Sequence, residues 1–146
     1  MDVDGLLAEE ETAWRELHAA FAAIATEQLE EPGITPDGWS PKDVMFHIGA
    51  WAAECAHMLE CIRMGTFEDP FTTGEAVNRQ NREWFEQSRT MDPGTVRAEF
   101  IAARTRMLQE WAALPTVTPE AWEWLEESGP IHYRKHLEDL AVWTTK

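Results

Sequence analysis

Histidine is the residue in this sequence best placed to do chemistry, because a neutral imidazole offers a nitrogen lone pair to a metal ion or a proton near neutral pH. There are five: His18, His47, His57, His132 and His136. Only His132 and His136 have the spacing of two ligands. Four residues apart on a helix, they project from one face at adjacent turns, about 6 Å from each other. Composition alone produces such a pair in about one chain in six, so a third ligand is needed before the pair implies a metal.

Two carboxylates follow the same rhythm. Glu54 lies seven residues after His47 and Asp139 seven after His132, which keeps each close to its histidine's stripe. Asp139 is also three residues beyond His136, where it can accept the ring N–H and fix the tautomer. Both are candidate catalytic groups, as a base or as a partner to a ligand. The plainer alternative for each is a solvated helix carboxylate. Cys55 and Cys61 lie six apart within one helical pattern, separated by about 9 Å of rise, beyond disulfide reach. They read as reduced thiols, and without a C-x-x-C they support neither a thioredoxin-like nor a zinc-ribbon reading.

The elements that must position these groups are helices. Leu7, Trp14, Leu17, Phe21 and Ile24 recur at helical spacing and predict a first helix over residues 3 to 30, stopped near Glu31-Pro32-Gly33. Ser40 as N-cap, Pro41 at the first helical position and Asp43 at the third predict a second helix from residue 40, running through Val44, Ile48, Trp51, Cys55, Met58 and Ile62 to Gly65. Trp39 is placed to staple onto Val44. Residues 73 to 89 and 94 to 114 form a third element broken at Asp92-Pro93-Gly94. Residues 115 to 129 read as a long connection with one helical turn at Ala121-Trp122-Glu123-Trp124. Ser128-Gly129-Pro130 then starts a last helix ending near Trp143. Period-two alternation is absent, so the fold class is all-α, a four-helix bundle.

In an up-down-up-down bundle the second and fourth helices run the same way. His47, two turns into the second, then shares one end with His132 and His136 in the fourth, at heights agreeing to about 6 Å. His18 flanks a core stripe, and His57 is rotated by about 80° from His47 around the helix axis. The candidate ligand set is therefore His47, His132 and His136. Spacing alone leaves ordinary buried, hydrogen-bonded histidines as an equal alternative.

Composition bounds the rest. The 146 residues are of single-domain size, so 1–146 is read as one domain. Twelve Lys and Arg against 27 Asp and Glu leave a formal charge of −15, which repels phosphate backbones and anionic bilayers. Nucleic-acid and membrane-surface partners are excluded first. The acidic start Met1-Asp2-Val3-Asp4 is unlike a secretory signal, and the expected location is the cytoplasm. A small molecule is the expected partner; a homodimer stays open.

The segments Trp39-Ser40-Pro41-Lys42-Asp43-Val44-Met45-Phe46-His47-Ile48 with Trp51, and His132-Tyr133-Arg134-Lys135-His136-Leu137-Glu138-Asp139, resemble the DinB-like metal-binding helical bundles. That superfamily includes mycothiol-dependent maleylpyruvate isomerases and bacillithiol transferases. The closing H-Y-x-x-H-x-x-D is most similar to the ClbS/DfsB-like branch. The resemblance implies a divalent metal, zinc or nickel, held by His47, His132 and His136 with solvent completing its shell. It also implies a reaction drawn from thiol-dependent isomerisation or transfer, with mycothiol or bacillithiol as cosubstrate, or from hydrolytic self-protection.

Three neutral imidazoles leave such an ion with open positions, as in a catalytic rather than a closed structural site. The ion acidifies a bound water or thiol and polarises a carbonyl, so hydrolase and thiol transferase share one electrophile and differ in nucleophile. Loops 32–39 and 115–129 are expected to build the mouth, with Trp39, Trp122 and Trp124 as aromatic walls. Trp14, Trp51, Trp111 and Trp143 fit helix stripes and are assigned to the core. Asn78, Asn81 and Arg82 are given no role. Six arginines between residues 79 and 106 form the basic stretch of an acidic chain, read first as a face laced with i,i+4 pairs and second as an anion attractant. A metal-dependent transferase or hydrolase is the preferred reading. Non-catalytic sequestration of a metal or small molecule, and a bundle with purely structural histidines, are the alternatives.

Overall fold

The computed structural model describes residues 1–145, and every regular element among them is helical. The α-helices are α1 (Val3–Ala22), α2 (Pro41–Met64), α3 (Gly74–Ser88), α4 (Pro93–Ala113), α5 (Pro119–Ser128) and α6 (Pro130–Thr144). Helices α1, α2, α4 and α6 form the bundle, with α2 packed along α4 and α1 along α6. Helices α3 and α5 both lean on α2, and α5 also on α6. No described helix is long and apolar enough to cross a membrane.

The start of α2 matches its sequence signals. Ser40 accepts from the Asp43 backbone N–H, and the Asp43 carboxylate accepts from the Ser40 backbone N–H at 2.9 Å, a complete capping box with Pro41 at the first position. Asp43 also accepts from the Ser88 hydroxyl at the end of α3. Beside it, buried Lys42 donates to Glu30 at 2.8 Å and to the Met91 carbonyl at 3.0 Å. One turn of helix thus fastens the loop before it and the joint between α3 and α4. At the far end Gly65, at φ 75°, takes the left-handed conformation that closes the helix.

Two expectations are corrected. The first helix ends at Ala22, well before Pro32, and a short 3₁₀ turn follows at Thr26–Gln28. The cause is tertiary: Ile24, Leu29 and Ile34 are all buried with Phe21 and Val44, and the Leu29 carbonyl accepts from the Lys42 N–H at 2.8 Å. Burying all three against one core outweighs continuing a helix whose propensity alone is weak. The second correction is α5, a ten-residue helix where one turn was expected. Thr118 caps it from its side chain, Pro119 takes its first position, and Ala121 and Leu125 are fully buried one turn apart. Ser128 belongs to α5, so α6 begins at Gly129 with no side-chain cap. A Cβ on Gly129 would lie 2.7 Å from the Leu125 carbonyl and 3.4 Å from the Glu10 side chain, so only glycine fits that corner.

The core runs along the bundle in two clusters. Leu17, Phe21, Val44, Ile48, Phe100 and Tyr133 represent one; Leu59, Met107, Trp111 and Leu125 represent the other. A polar bridge crosses the first. Buried Glu10 takes two hydrogen bonds from Arg104, at 2.7 and 2.9 Å, and the Arg104 guanidinium lies 4.9 Å from the Trp14 ring. Cys55 sits fully buried in the second cluster, where burial raises its thiol pKa to about 12, partly offset by Ser128.

Candidate metal centre

His47 is the seventh residue of α2; His132 and His136 are the third and seventh of α6. The two helix starts meet, and the three imidazoles meet with them. His132 Nε2 lies 2.9 Å from His47 Nε2 and 3.1 Å from His136 Nε2. One ligand nitrogen from each of the three falls within 4.8 Å of the others. His47 and His136 are buried, at 7% and 4% exposure, and His132 is nearly so.

This arrangement is poorly served by hydrogen bonds alone. A ring nitrogen carries either a proton or a lone pair, so His132 Nε2 cannot donate to one neighbour while accepting from the other. Asp139 Oδ2 lies 3.1 Å from His136 Nδ1, which assigns the proton there and leaves the His136 Nε2 lone pair facing His132. His47 Nδ1 and His132 Nδ1 are buried without a hydrogen-bond partner among the described residues. Lone pairs converging on one point repel unless a cation lies between them. The donor set therefore fits a divalent metal: three imidazoles, with a carboxylate orienting one of them.

Electrostatics favour the ligand form. Burial, reinforced by His136 and Lys135, lowers the His47 pKa to about 3. Burial also holds His132 well below its ordinary value, with His47, His136 and Lys135 adding to the effect. His136 is lowered mainly by burial, against the opposing pull of Asp139. All three imidazoles are neutral at pH 7, as metal ligation requires.

Of the residues singled out from sequence, His47, His132, His136 and Asp139 come together and Glu54 does not. Glu54 is half-buried further along α2, makes no hydrogen bond with the cluster, and lines neither cavity beside it. His18 stacks on Trp14, and His57 is exposed beside Cys61.

Two cavities flank the cluster. The first, about 990 Å³, is bounded by His47, His136 and Asp139 and walled by Trp39 and Phe85. Trp39 meets the His47 ring edge-on with centroids 4.9 Å apart, so it serves as the aromatic wall expected of its loop. Asn78, Arg82 and Lys135 line the same cavity. Arg82 and Lys135 have no ion-pair partner among the described residues, whereas Arg79, Arg89, Arg104 and Arg106 are paired with carboxylates. The second cavity, about 450 Å³, is bounded by His132 and walled by Trp51, Phe71 and Trp124. Between them, the Trp51 indole N–H donates to Asn81 at 2.8 Å, tying α2 to α3.

The aromatic assignments therefore shift. Trp51, expected in the core, is a cavity wall; Trp122, expected at the mouth, packs against the core cluster. Trp14 and Trp111 are core as expected. The contribution of α3 was missed, although its signal was present: Asn78, Asn81, Arg82 and Phe85 fall at three- and four-residue steps, on one helix face.

The family model for the mycothiol maleylpyruvate isomerase N-terminal domain matches residues 11–142. The crystal structure of the mycothiol-dependent maleylpyruvate isomerase superposes with a TM-score of 0.77 at 13% identity, covering 96% of this chain. The chain spans 61% of that protein's length. No curated protein matches the sequence.

Proposed function

We propose a function from one premise: the chain belongs to the mycothiol maleylpyruvate isomerase N-terminal domain family. It is a metal-dependent enzyme that joins a low-molecular-weight thiol to a small organic electrophile, as a transferase or as an isomerase that releases the thiol again. Residues 1–146 are read as one domain. The observation that carries this reading is the convergence of His47, His132 and His136, neutral and buried, between two cavities of ligand size.

His47, His132 and His136 would hold the ion, zinc or nickel. When bound, it supplies a Lewis acid that favours the thiolate over the thiol and polarises a carbonyl. Asp139 keeps the His136 proton on Nδ1 and so keeps Nε2 available as a ligand. Trp39, against the His47 ring, excludes water from that side. Arg82 and Lys135, which line the first cavity without an ion-pair partner among the described residues, attract a carboxylate carried by the thiol, mycothiol or bacillithiol, or by the electrophile. Glu54 has no part in this scheme.

Elemental analysis of the purified protein tests the metal, with about one zinc or nickel per chain expected. His136→Ala should lower that content severely and His18→Ala should not; equal occupancy in the two overturns the ligand set. Incubating the loaded protein with an electrophile, with and without mycothiol or bacillithiol, tests the reaction. Turnover only with thiol is expected. Turnover without it supports the hydrolysis to which H-Y-x-x-H-x-x-D pointed, and stoichiometric capture without turnover supports sequestration.

A further inference from the structure

The second cavity differs in chemistry from the first. Its walls are Trp51, Phe67, Phe71 and Trp124. Three of these are in mutual contact: Trp51 and Phe71 stand edge-to-face with centroids 4.8 Å apart, and Trp124 lies 6.4 Å from Trp51 and 6.3 Å from Phe71. Indole and phenyl faces carry the negative part of the ring quadrupole, so aromatic surface lining a cavity favours a cation over an anion. Around this box stand four carboxylates, Asp69, Glu120, Glu123 and Glu127, and neither Lys nor Arg lines it. None of the four forms an ion pair among the described residues, and Asp69 is held in place by accepting the Phe71 backbone N–H at 2.8 Å. At one side of the cavity lies His132, which joins it to the histidine cluster.

We propose that this cavity is a binding site for a small substituted ammonium, an organic cation of amino-alcohol size whose methylated nitrogen sits in the aromatic box under the carboxylate rim. Each feature selects one part of such a ligand. The rings attract the diffuse positive charge and tolerate its alkyl groups, which a carboxylate alone would not. The rim makes the mouth negative and so favours entry of a cation over an anion or a neutral molecule. A volume of about 450 Å³ suits a molecule of this size and is too small for a folded partner. The site does not depend on the histidines carrying a metal. If they do, its occupant lies beside them and is a candidate second substrate.

Choline is a suitable probe, and 3,3-dimethylbutan-1-ol is its uncharged counterpart of the same shape. The tryptophans of the box report binding by fluorescence. Saturable quenching by choline is expected, with the neutral alcohol binding about tenfold more weakly, as the loss of a cation–π contact requires. Equal affinity for the two, or no saturable signal with choline, overturns the proposal. Glu123→Gln combined with Glu127→Gln, at exposed positions that leave the fold intact, should weaken choline several-fold and leave the neutral alcohol unchanged. Glu83→Gln, which lines the first cavity, should change neither. Trp124→Leu should abolish choline binding. Phosphatidylcholine vesicles separate a free ammonium from a lipid headgroup: binding to vesicles without binding to choline also overturns the proposal.

Discussion

The two helix starts that bring the histidines together are built by different means. At the start of α2 the work is done by polar groups: Ser40 and Asp43 cap each other, Asp43 reaches Ser88, and Lys42 reaches Glu30 and the Met91 carbonyl. At the start of α6 no side chain caps the helix, and the chain turns at Gly129 directly out of α5. Position there comes from packing, with Tyr133 fully buried and its hydroxyl 3.5 Å from Glu10, and Gly129 pressed against the Leu125 carbonyl. His47 is therefore held by directional bonds to neighbouring segments, whereas His132 and His136 are held by shape. A histidine cluster assembled from both needs each mode intact.

Acid should have the largest effect, because it strikes both helix starts at once. The folded protein keeps His47 neutral down to about pH 3, and His132 and His136 are also lowered, while in the unfolded chain all three take up protons near pH 6.5. Stability of the metal-free protein should be level above that pH and fall below it, by up to about 1.4 kcal/mol per pH unit for each histidine. Urea unfolding between pH 7.5 and 4.5 measures this, and a midpoint independent of pH would remove burial of neutral histidines from the account. Bound metal should raise the whole curve by mass action without reducing its slope, because ligated histidines stay unprotonated in the folded state.

Asp43→Ala should break the α2 side alone. It removes the carboxylate half of the capping box, leaves the buried Ser40 N–H without its acceptor and leaves the Ser88 hydroxyl only the Phe85 carbonyl, at a cost of about 1–3 kcal/mol. Thermal unfolding followed by circular dichroism reads it; a loss below about 0.5 kcal/mol would mean that packing holds α2 as well. The smallest effect should be on the α6 side. Asp139→Asn spares the bundle but loosens the His136 tautomer, weakening metal affinity by about 10–100-fold with little change in metal-free stability. Competition with a chelator measures it.

The same contrast explains what could be read from the sequence. The start of α2 was legible to the residue because caps are local: Ser40, Pro41 and Asp43 carry their own instruction. The break at Pro93 and the stop at Gly65 were legible for the same reason, as was the His132/His136 pair. The end of α1 was not, since no proline or glycine marks Ala22 and only the shared burial of Ile24, Leu29 and Ile34 bends the chain there. Helix α5 carried the same signal as α2 in Thr118-Pro119, but its shortness and flanking prolines disguised it as a connection. Of the candidate site, the histidines and Asp139 that the structure brings together were legible because i,i+3 and i,i+4 relations survive in one dimension. Glu54 was misplaced with them, since seven residues return a side chain to roughly the same stripe but about 10 Å further along the axis. The cavity walls from α3, and the turning of Trp51 toward them, depend on where one helix leans on another, which no local pattern records.

The burial of Cys55 has a bearing on any chemistry with thiols and electrophiles. A sulfur sealed in the core and held protonated by a pKa raised to about 12 is neither alkylated by a small electrophile nor exchanged into a mixed disulfide with a small thiol. Of the two cysteines, that leaves half-buried Cys61, nearer the other end of α2 from His47, as the one within reach of reagent. Under the proposed reaction, Cys55 would thus not be consumed by the reactants.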